Sequence, residues 1–209
     1  WAPVLAVVRC WATHYAGVEW FNWHRRLGYV VLVLVAFRVV WGFLGTRHAR
    51  FAGFLRGPRA TLQFLRGDTA TTVGHNPLGA LSVIALLAVL LLQALTGLFA
   101  NDEIMNAGPF YGWIAPQLSN RITTLHRLSS DAMLVLIALH VLAVAWHVLG
   151  RRRPLLRAML TGRKPVADVP AEQAIAGSRT GFALAIVAVL AAALALAVRA
   201  APEAAIALY

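Results

Sequence analysis

The 209-residue chain is 60% hydrophobic and only 13% charged, with a mean hydropathy of +0.69 and a formal net charge of +11. Soluble domains carry roughly 25% charged residues, so this composition indicates a membrane protein. The basic residues form clusters between apolar runs rather than one continuous patch, which argues against nucleic-acid binding. Cys10 is the single cysteine, and this excludes a disulfide framework, a cysteine zinc site and a covalently attached c-type haem.

The apolar runs predict membrane-spanning helices. A spanning helix needs about 20 mostly apolar residues, and four stretches qualify: about 23–44, 78–99, 123–149 and 180–199. The first apolar run, from Trp1 to about Thr13, is shorter, and the chain does not open on Met. We therefore expect the sequence to begin partway through a first span, which gives five spans with the first truncated.

The distribution of arginine and lysine predicts the orientation. Basic residues are concentrated in residues 45–76 and 150–164, whereas residues 12–23 and 100–120 have none. Because basic loops face the cytoplasm, the N-terminus is expected inside and, after five spans, the C-terminus outside. Residues 58–66 are expected to form a short helix on the inner surface, and residues 165–178 a linker to the last span.

The fourth span carries three histidines, although an imidazole in hydrocarbon is costly unless its nitrogens are satisfied. His126 and His140 are 14 residues apart, which puts them on one helix face about 21 Å apart along the axis. His24 lies at the outer end of the second span, at the depth of His126. One imidazole from each of two helices at one level is an arrangement that binds an iron porphyrin. Gly28, one turn from His24, would let a porphyrin face approach that helix.

Other interpretations of these histidines are simpler. A single membrane histidine is more often a hydrogen-bonded packing residue. The pair of His126 and His140 in one span, with His24 at the depth of His126 in another span, favours haem. Metal-ion transport would need carboxylates in the spans, and the one candidate is Asp131, which Arg127 can neutralise. His147, at the inner rim, is either an interfacial hydrogen-bonding residue or a contact for a quinone or a haem propionate.

Arginines at two depths are candidate partners for haem propionates. Arg38 is 14 residues after His24 and so reaches the depth of His140, where it either pairs with an inner propionate or extends to the inner surface. The arginines at the outer level are either propionate partners or solvated interfacial residues. These are Arg25, Arg26, Arg121 and Arg127.

Four segments resemble the bacterial di-haem cytochrome b family, which includes the b-type cytochrome subunit of nickel–iron hydrogenases and the cytochrome b-561 group. They are WHRRLGYVVLVLVAFRVVWGFLGTRHARF, GLFANDEI, LHRLSSDAMLVLIALHVL and MLTGRK. The resemblance implies a four-helix bundle with two non-covalent b haems, the outer one ligated by His24 and His126. The inner haem would be ligated by His140 and a first-span histidine, which the family places in a His-Trp pair and which we expect just upstream of Trp1.

The sequence therefore predicts an all-α membrane protein. Residues 1–164 would form the di-haem four-helix bundle, 165–178 the linker, and 179–209 an additional transmembrane helix with a short tail. The resemblance implies electron transfer in the bacterial inner membrane between the quinone pool and a periplasmic partner, either a c-type cytochrome or a redox enzyme subunit. The alternatives are a haem-bearing membrane anchor for a peripheral redox enzyme and a quinone-dependent superoxide oxidase.

The outer loop, residues 101–120, combines aromatic and acidic side chains. Phe110, Tyr111 and Trp113 lie near Asp102 and Glu103 in the sequence. This pattern is expected either for a docking surface or haem cover, or for an interfacial aromatic belt.

Overall fold

The computed structural model of the chain describes residues 1–66, 76–150, 159–162 and 177–202. Within these ranges the regular structure is helical, apart from one isolated bridge between Asn101 and Ala107, so the all-α prediction is confirmed. The α-helices are α1 (Ala2–Tyr15), α2 (Phe21–Leu44), α3 (Phe51–Phe54), α4 (Pro58–Leu65), α5 (Pro77–Gly97), α6 (Pro116–Ala145) and α7 (Thr180–Ala200).

Four helical segments are long and apolar enough to cross a membrane: Val18–Leu44, Pro77–Gly97, Pro116–Gly150 and Thr180–Ala200. They match the four complete predicted spans. The largest difference is in the span predicted at 123–149, which begins at Pro116, because a proline suits the first helical turn and the polar residues after it continue the helix. The α1 helix has 14 residues, or about 21 Å, so a fifth span is not among those found in the described part of the chain.

The chain divides into two compact units. The first unit comprises residues 1–39 and 87–133 and the chain from residue 181 onward. Its core contains Ala6 of α1 with Val31 and Val35 of α2, against which Leu87 and Leu90 of α5 pack. These apolar contacts bring α1, α2 and α5 together within the unit that also contains His24 and His126.

The same unit contains a tightly hydrogen-bonded loop between α5 and α6. The Asn101 amide donates to Ser119 Oγ at 2.6 Å and to Asn120 Oδ1 at 2.8 Å. Ser119 is fully buried and donates in turn to the Phe99 carbonyl at 2.6 Å. Because each buried polar group here has a partner, the loop is fixed against the first turn of α6, seven residues before His126.

The second unit comprises residues 40–86 and 134–180. Its α3 helix folds onto the end of α2, where the Phe51 ring covers Gly42 so closely that a Cβ at Gly42 would overlap the ring. Phe51 also packs edge-on against Phe43 and Phe54. The predicted helix at 58–66 is confirmed as α4. Some predicted features lie outside the described residues. These are His75, residues 165–176 of the predicted linker, and the basic residues Arg151, Arg152, Arg153, Arg157, Arg163 and Lys164.

Candidate functional site

Two predicted site residues, His24 of α2 and His126 of α6, lie next to each other in the first unit, with the edge of one ring toward the face of the other. Their ring centroids are 6.5 Å apart and their planes are at 84°. His14, at the end of α1, is also close, with its ring centroid 5.8 Å from that of His24. Three imidazoles from three helices thus gather at one level of this unit.

The hydrogen bonds of His24 determine which of its ring nitrogens has a lone pair available for a metal. Its Nδ1 lies 2.8 Å from the carbonyl oxygen of Cys10. A carbonyl can only accept, so Nδ1 carries the proton and Nε2 presents its lone pair. The Cys10 thiol adds a longer contact at 3.5 Å from the same Nδ1. Sequence analysis gave no role to Cys10, and the contribution of its main chain depends on how α1 packs against α2.

His126 is anchored by side chains of α5. Its Nδ1 lies 3.0 Å from Thr96 Oγ1, and its Nε2 lies 3.1 Å from the amide nitrogen of Gln93. Gln93 Oε1 in turn accepts a hydrogen bond from Ser129 Oγ. Sequence analysis missed Gln93 and Thr96. The available signal was two polar residues three positions apart in the otherwise apolar C-terminal half of α5, a spacing that puts both on one helix face.

The geometry of the histidine pair fits an iron porphyrin. Two metal–imidazole bonds of about 2 Å each, together with the distance from each nitrogen to its own ring centre, would nearly span the 6.5 Å between the ring centroids. A Cβ added at Gly28 would meet nothing within 4 Å, so there is open space one turn from His24. The Gln93 amide and an iron ion are competing partners for the same His126 lone pair.

A bare metal ion fits the chain less well. Among the described residues, no group of three or more His, Cys, Asp and Glu side chains is arranged to hold a metal ion. A haem iron takes only its axial ligands from the protein, so a pair of facing histidines is sufficient for haem and insufficient for a typical metal site.

His140 and His147 lie in the second unit. The partner of His140 is a side chain of α5, and that of His147 is the residue just before α5. His140 Nδ1 lies 3.1 Å from Ser82 Oγ. His147 Nδ1 donates to the Ala143 carbonyl at 2.9 Å, which leaves its Nε2 to accept from the Asn76 amide at 3.3 Å. Both His147 nitrogens are therefore satisfied, in agreement with the hydrogen-bonding alternative for this residue.

The C-terminal end of the long span departs from regular α-helical hydrogen bonding. Residues Trp146–Gly150, which include His147, form a π-helical turn, a feature that is often found at functional sites. Asn76 is held in place because its Oδ1 accepts from the Gly79 amide at 2.6 Å, as a helix N-cap does. This cap aims the Asn76 amide at His147.

The predicted propionate partners have different environments. Arg25 is partly buried and donates to Asn22 Oδ1 at 3.0 Å. Arg26 lies over the Trp23 ring at 5.4 Å from its centroid. Arg38 is partly buried in α2. Arg127 is exposed and lines a polar pocket of about 150 Å³ with residues of the α5–α6 loop and the first turns of α6.

The α5–α6 loop presents acidic and aromatic groups. The Asp102 carboxylate accepts hydrogen bonds from the main-chain amides of residues 104, 105 and 106 at 2.8–3.0 Å and from the Asn106 side chain at 2.7 Å. Partial burial raises the pKa of Asp102, but the donors at Asn106, Ile104 and Met105 outweigh it, so the pKa lies below its ordinary value. Phe110 is buried and stacks on the half-exposed Trp113 with centroids 4.3 Å apart.

Apolar helices of membrane-spanning length that bring two histidines together are typical of membrane-bound b-type cytochromes. The family model described as prokaryotic cytochrome b561 matches residues 2–162, and the chain belongs to this family. Haem b is therefore its cofactor, and electron transfer in a membrane is its class of function. The resemblance seen in the sequence motifs is confirmed.

Three curated relatives of the chain share one description. The chain is 26% identical over 163 residues to the "Probable Ni/Fe-hydrogenase B-type cytochrome subunit" of Azotobacter chroococcum mcd 1, covering 69% of this chain and 68% of the relative. The protein of the same description from Azotobacter vinelandii has the same identity and coverage. That of Rhodobacter capsulatus is 24% identical over 167 residues, covering 69% of this chain and 62% of the relative. No solved structure matches the chain.

Proposed function

We propose that the chain is a di-haem b-type cytochrome that transfers electrons between the quinone pool and a periplasmic redox partner. The observation that carries this proposal is the His24–His126 pair, with ring centroids 6.5 Å apart and the Nδ1 of each ring held by a hydrogen bond. An iron with two axial histidines has no open coordination position, which disfavours substrate chemistry at the metal and favours one-electron transfer.

His24 and His126 would hold one b haem, and that haem supplies a reversible one-electron change at its iron. The chain's own residues orient the ligands. The Cys10 carbonyl fixes the tautomer of His24, and Thr96 contacts Nδ1 of His126. Gly28 leaves open space beside its helix turn for the porphyrin.

His140 would provide a ligand to a second b haem, with Ser82 as its hydrogen-bond partner. Cationic partners for the propionates are Arg25 and Arg127 at the first haem and Arg38 at the second, because carboxylates in a membrane need charge-assisted hydrogen bonds. His126 and His140 belong to the single continuous helix α6, which supports two haems at different depths along it.

The charge pattern supports an orientation in the bacterial inner membrane. Residues 45–66 contain five arginines, all of them exposed, and no acidic residue. Residues 98–115 contain Asp102 and Glu103 but no lysine or arginine. By the positive-inside rule, the first segment lies on the cytoplasmic side and the second on the periplasmic side.

The α5–α6 loop, residues 98–115 on the proposed periplasmic side, is the proposed docking surface for the redox partner. Ile104 and Met105 are 65% and 64% exposed at the tip of the Asp102 turn, and the acidic residues beside them favour a basic partner surface. The description of the relatives as hydrogenase subunits supports a redox enzyme subunit as this partner. A c-type cytochrome is the second candidate.

Reduction by a quinol analogue tests the electron-transfer function. The full chain, purified with its haem and placed in lipid nanodiscs, is mixed with a short-chain quinol while the b-type absorbance is recorded. Rapid reduction that a quinone-site inhibitor blocks supports the proposal. If the haem stays oxidised, the result contradicts the proposal and favours a haem-bearing anchor. If the protein oxidises superoxide catalytically with a quinone and without a protein partner, the result favours the oxidase alternative.

A further inference from the structure

The Thr96 hydroxyl lies between a main-chain carbonyl and the His126 ring. Its Oγ1 is 2.7 Å from the Leu92 carbonyl oxygen and 3.0 Å from His126 Nδ1. A hydroxyl has one proton and two lone pairs, and the short contact to Leu92 uses the proton. The Thr96 oxygen is therefore an acceptor for the Nδ1–H of His126. Thr96 is 7% exposed, so water does not compete strongly for this bond.

The two facing histidines have different kinds of acceptor. His24 donates from Nδ1 to a main-chain carbonyl, that of Cys10, and no side-chain substitution removes this atom. His126 donates to a side-chain hydroxyl that is itself hydrogen-bonded. Linked hydrogen bonds polarise one another, so the Leu92 carbonyl strengthens the acceptor that Thr96 offers to His126.

We propose that Thr96 is a positioning residue that orients His126 and lowers the midpoint potential of the haem iron that His126 binds. An acceptor on Nδ1–H increases the electron density of the imidazole and its strength as a ligand. A stronger donor stabilises the more highly charged ferric iron more than the ferrous iron, which lowers the potential. This inference rests on the proposed function, in which His126 is a haem ligand.

A pair of substitutions separates the hydroxyl from the shape of the side chain. Thr96→Val keeps the volume and removes the acceptor, whereas Thr96→Ser keeps the acceptor and removes a methyl group. Thr61→Val is the matched control, because the Thr61 hydroxyl donates to the carbonyl of Gly57, the residue that precedes α4 in the second unit.

The test is a redox titration of the full chain purified with its haem, followed by visible and EPR spectroscopy. We expect Thr96→Val to raise the midpoint potential of one haem component and to leave the other in place, while Thr96→Ser and Thr61→Val match the wild type. If Thr96→Val binds haem less well, a weakening of about 10- to 100-fold that Thr96→Ser does not share also supports the inference.

Two results would overturn the role of Thr96. One is an unchanged potential in Thr96→Val with full haem content and an unchanged low-spin signal. The other is an equal shift in Thr96→Val and Thr96→Ser, which would assign the effect to the lost methyl group. Failure of the underlying ligand assignment is seen separately, as unchanged haem content in His126→Ala.

Discussion

His24 and His126 face each other across 6.5 Å between ring centroids, and each is held through Nδ1 by a group on a different helix. The Cys10 carbonyl of α1 contacts the first, and Thr96 of α5 contacts the second. Four helices therefore contribute to one pair of imidazoles, whose Nε2 atoms would be the ligands if iron replaced the Gln93 amide at His126. Hydrogen bonds to Nδ1 fix the tautomer and the ring orientation of a ligating histidine.

The first prediction concerns the ligand pairing. Replacing His24 or His126 with Ala should remove the same b-type spectral component, since loss of either axial bond frees the same iron. His140→Ala should remove a different component. Low-temperature difference spectra of the purified variants measure this, with His48→Ala as the control from the loop after α2. Loss of different components from the His24 and His126 variants would disprove the pairing.

The second prediction concerns the space beside Gly28. A Cβ at this position meets no protein atom within 4 Å, so we expect Gly28→Leu to fold and to occupy space that the porphyrin needs. We expect lower haem content in the His24–His126 component, measured as pyridine haemochrome per mole of protein. Gly181→Leu in α7 is the matched control, because a Cβ there also meets nothing within 4 Å. Equal haem content in the two variants would show that Gly28 does not face the porphyrin.

The third prediction concerns the hydrogen bonds that fix the α5–α6 loop. Asn101 is 8% exposed and donates to Ser119 and Asn120. Asn101→Ala leaves the buried Ser119 without this donor and should lower the free energy of unfolding by about 1–3 kcal/mol. Thermal unfolding in detergent measures the change, with the exposed Thr124→Ala as the control. Similar unfolding midpoints for both variants would contradict the importance of the network.

The fourth prediction concerns pH. Because donors from residues 104–106 hold the pKa of Asp102 below its ordinary value of 3.8, this carboxylate stabilises the folded loop above that pH. The contribution should be lost as the pH falls through 3.8 toward the lower folded-state pKa. Asp102→Asn should show less loss of stability in this acid range, when the unfolding midpoints of variant and wild type are compared across pH. Parallel acid profiles would exclude Asp102 as the responsible group.

Much of the fold was predictable because hydrocarbon thickness imposes a minimum length on each apolar helix. The four complete spans follow from this rule, and the predicted match between His24 and His126 agrees with the short distance between their rings. The start of the fourth span at Pro116 was missed because four polar residues in 116–122, Gln117, Ser119, Asn120 and Arg121, extend the helix beyond its mainly apolar part.

The supporting contacts were harder to predict. The acceptor for His24 is a main-chain oxygen, and every residue has one, so only the packing of α1 selects Cys10. The π-helical turn around His147 likewise has no simple sequence pattern. Thr96 and Gln93 were visible as polar residues in α5, but only the register of α5 against α6 brings them to His126.

The central claim is that this chain binds b haem through histidines within its membrane helices. Pyridine haemochrome analysis of the purified, membrane-extracted protein, combined with EPR of the oxidised form, tests it most directly. The account predicts two b-type haems per chain and a low-spin bis-histidine signal that weakens in His126→Ala. Protein that contains no b-type haem, or whose haem content and EPR signal are the same in His126→Ala, would contradict it.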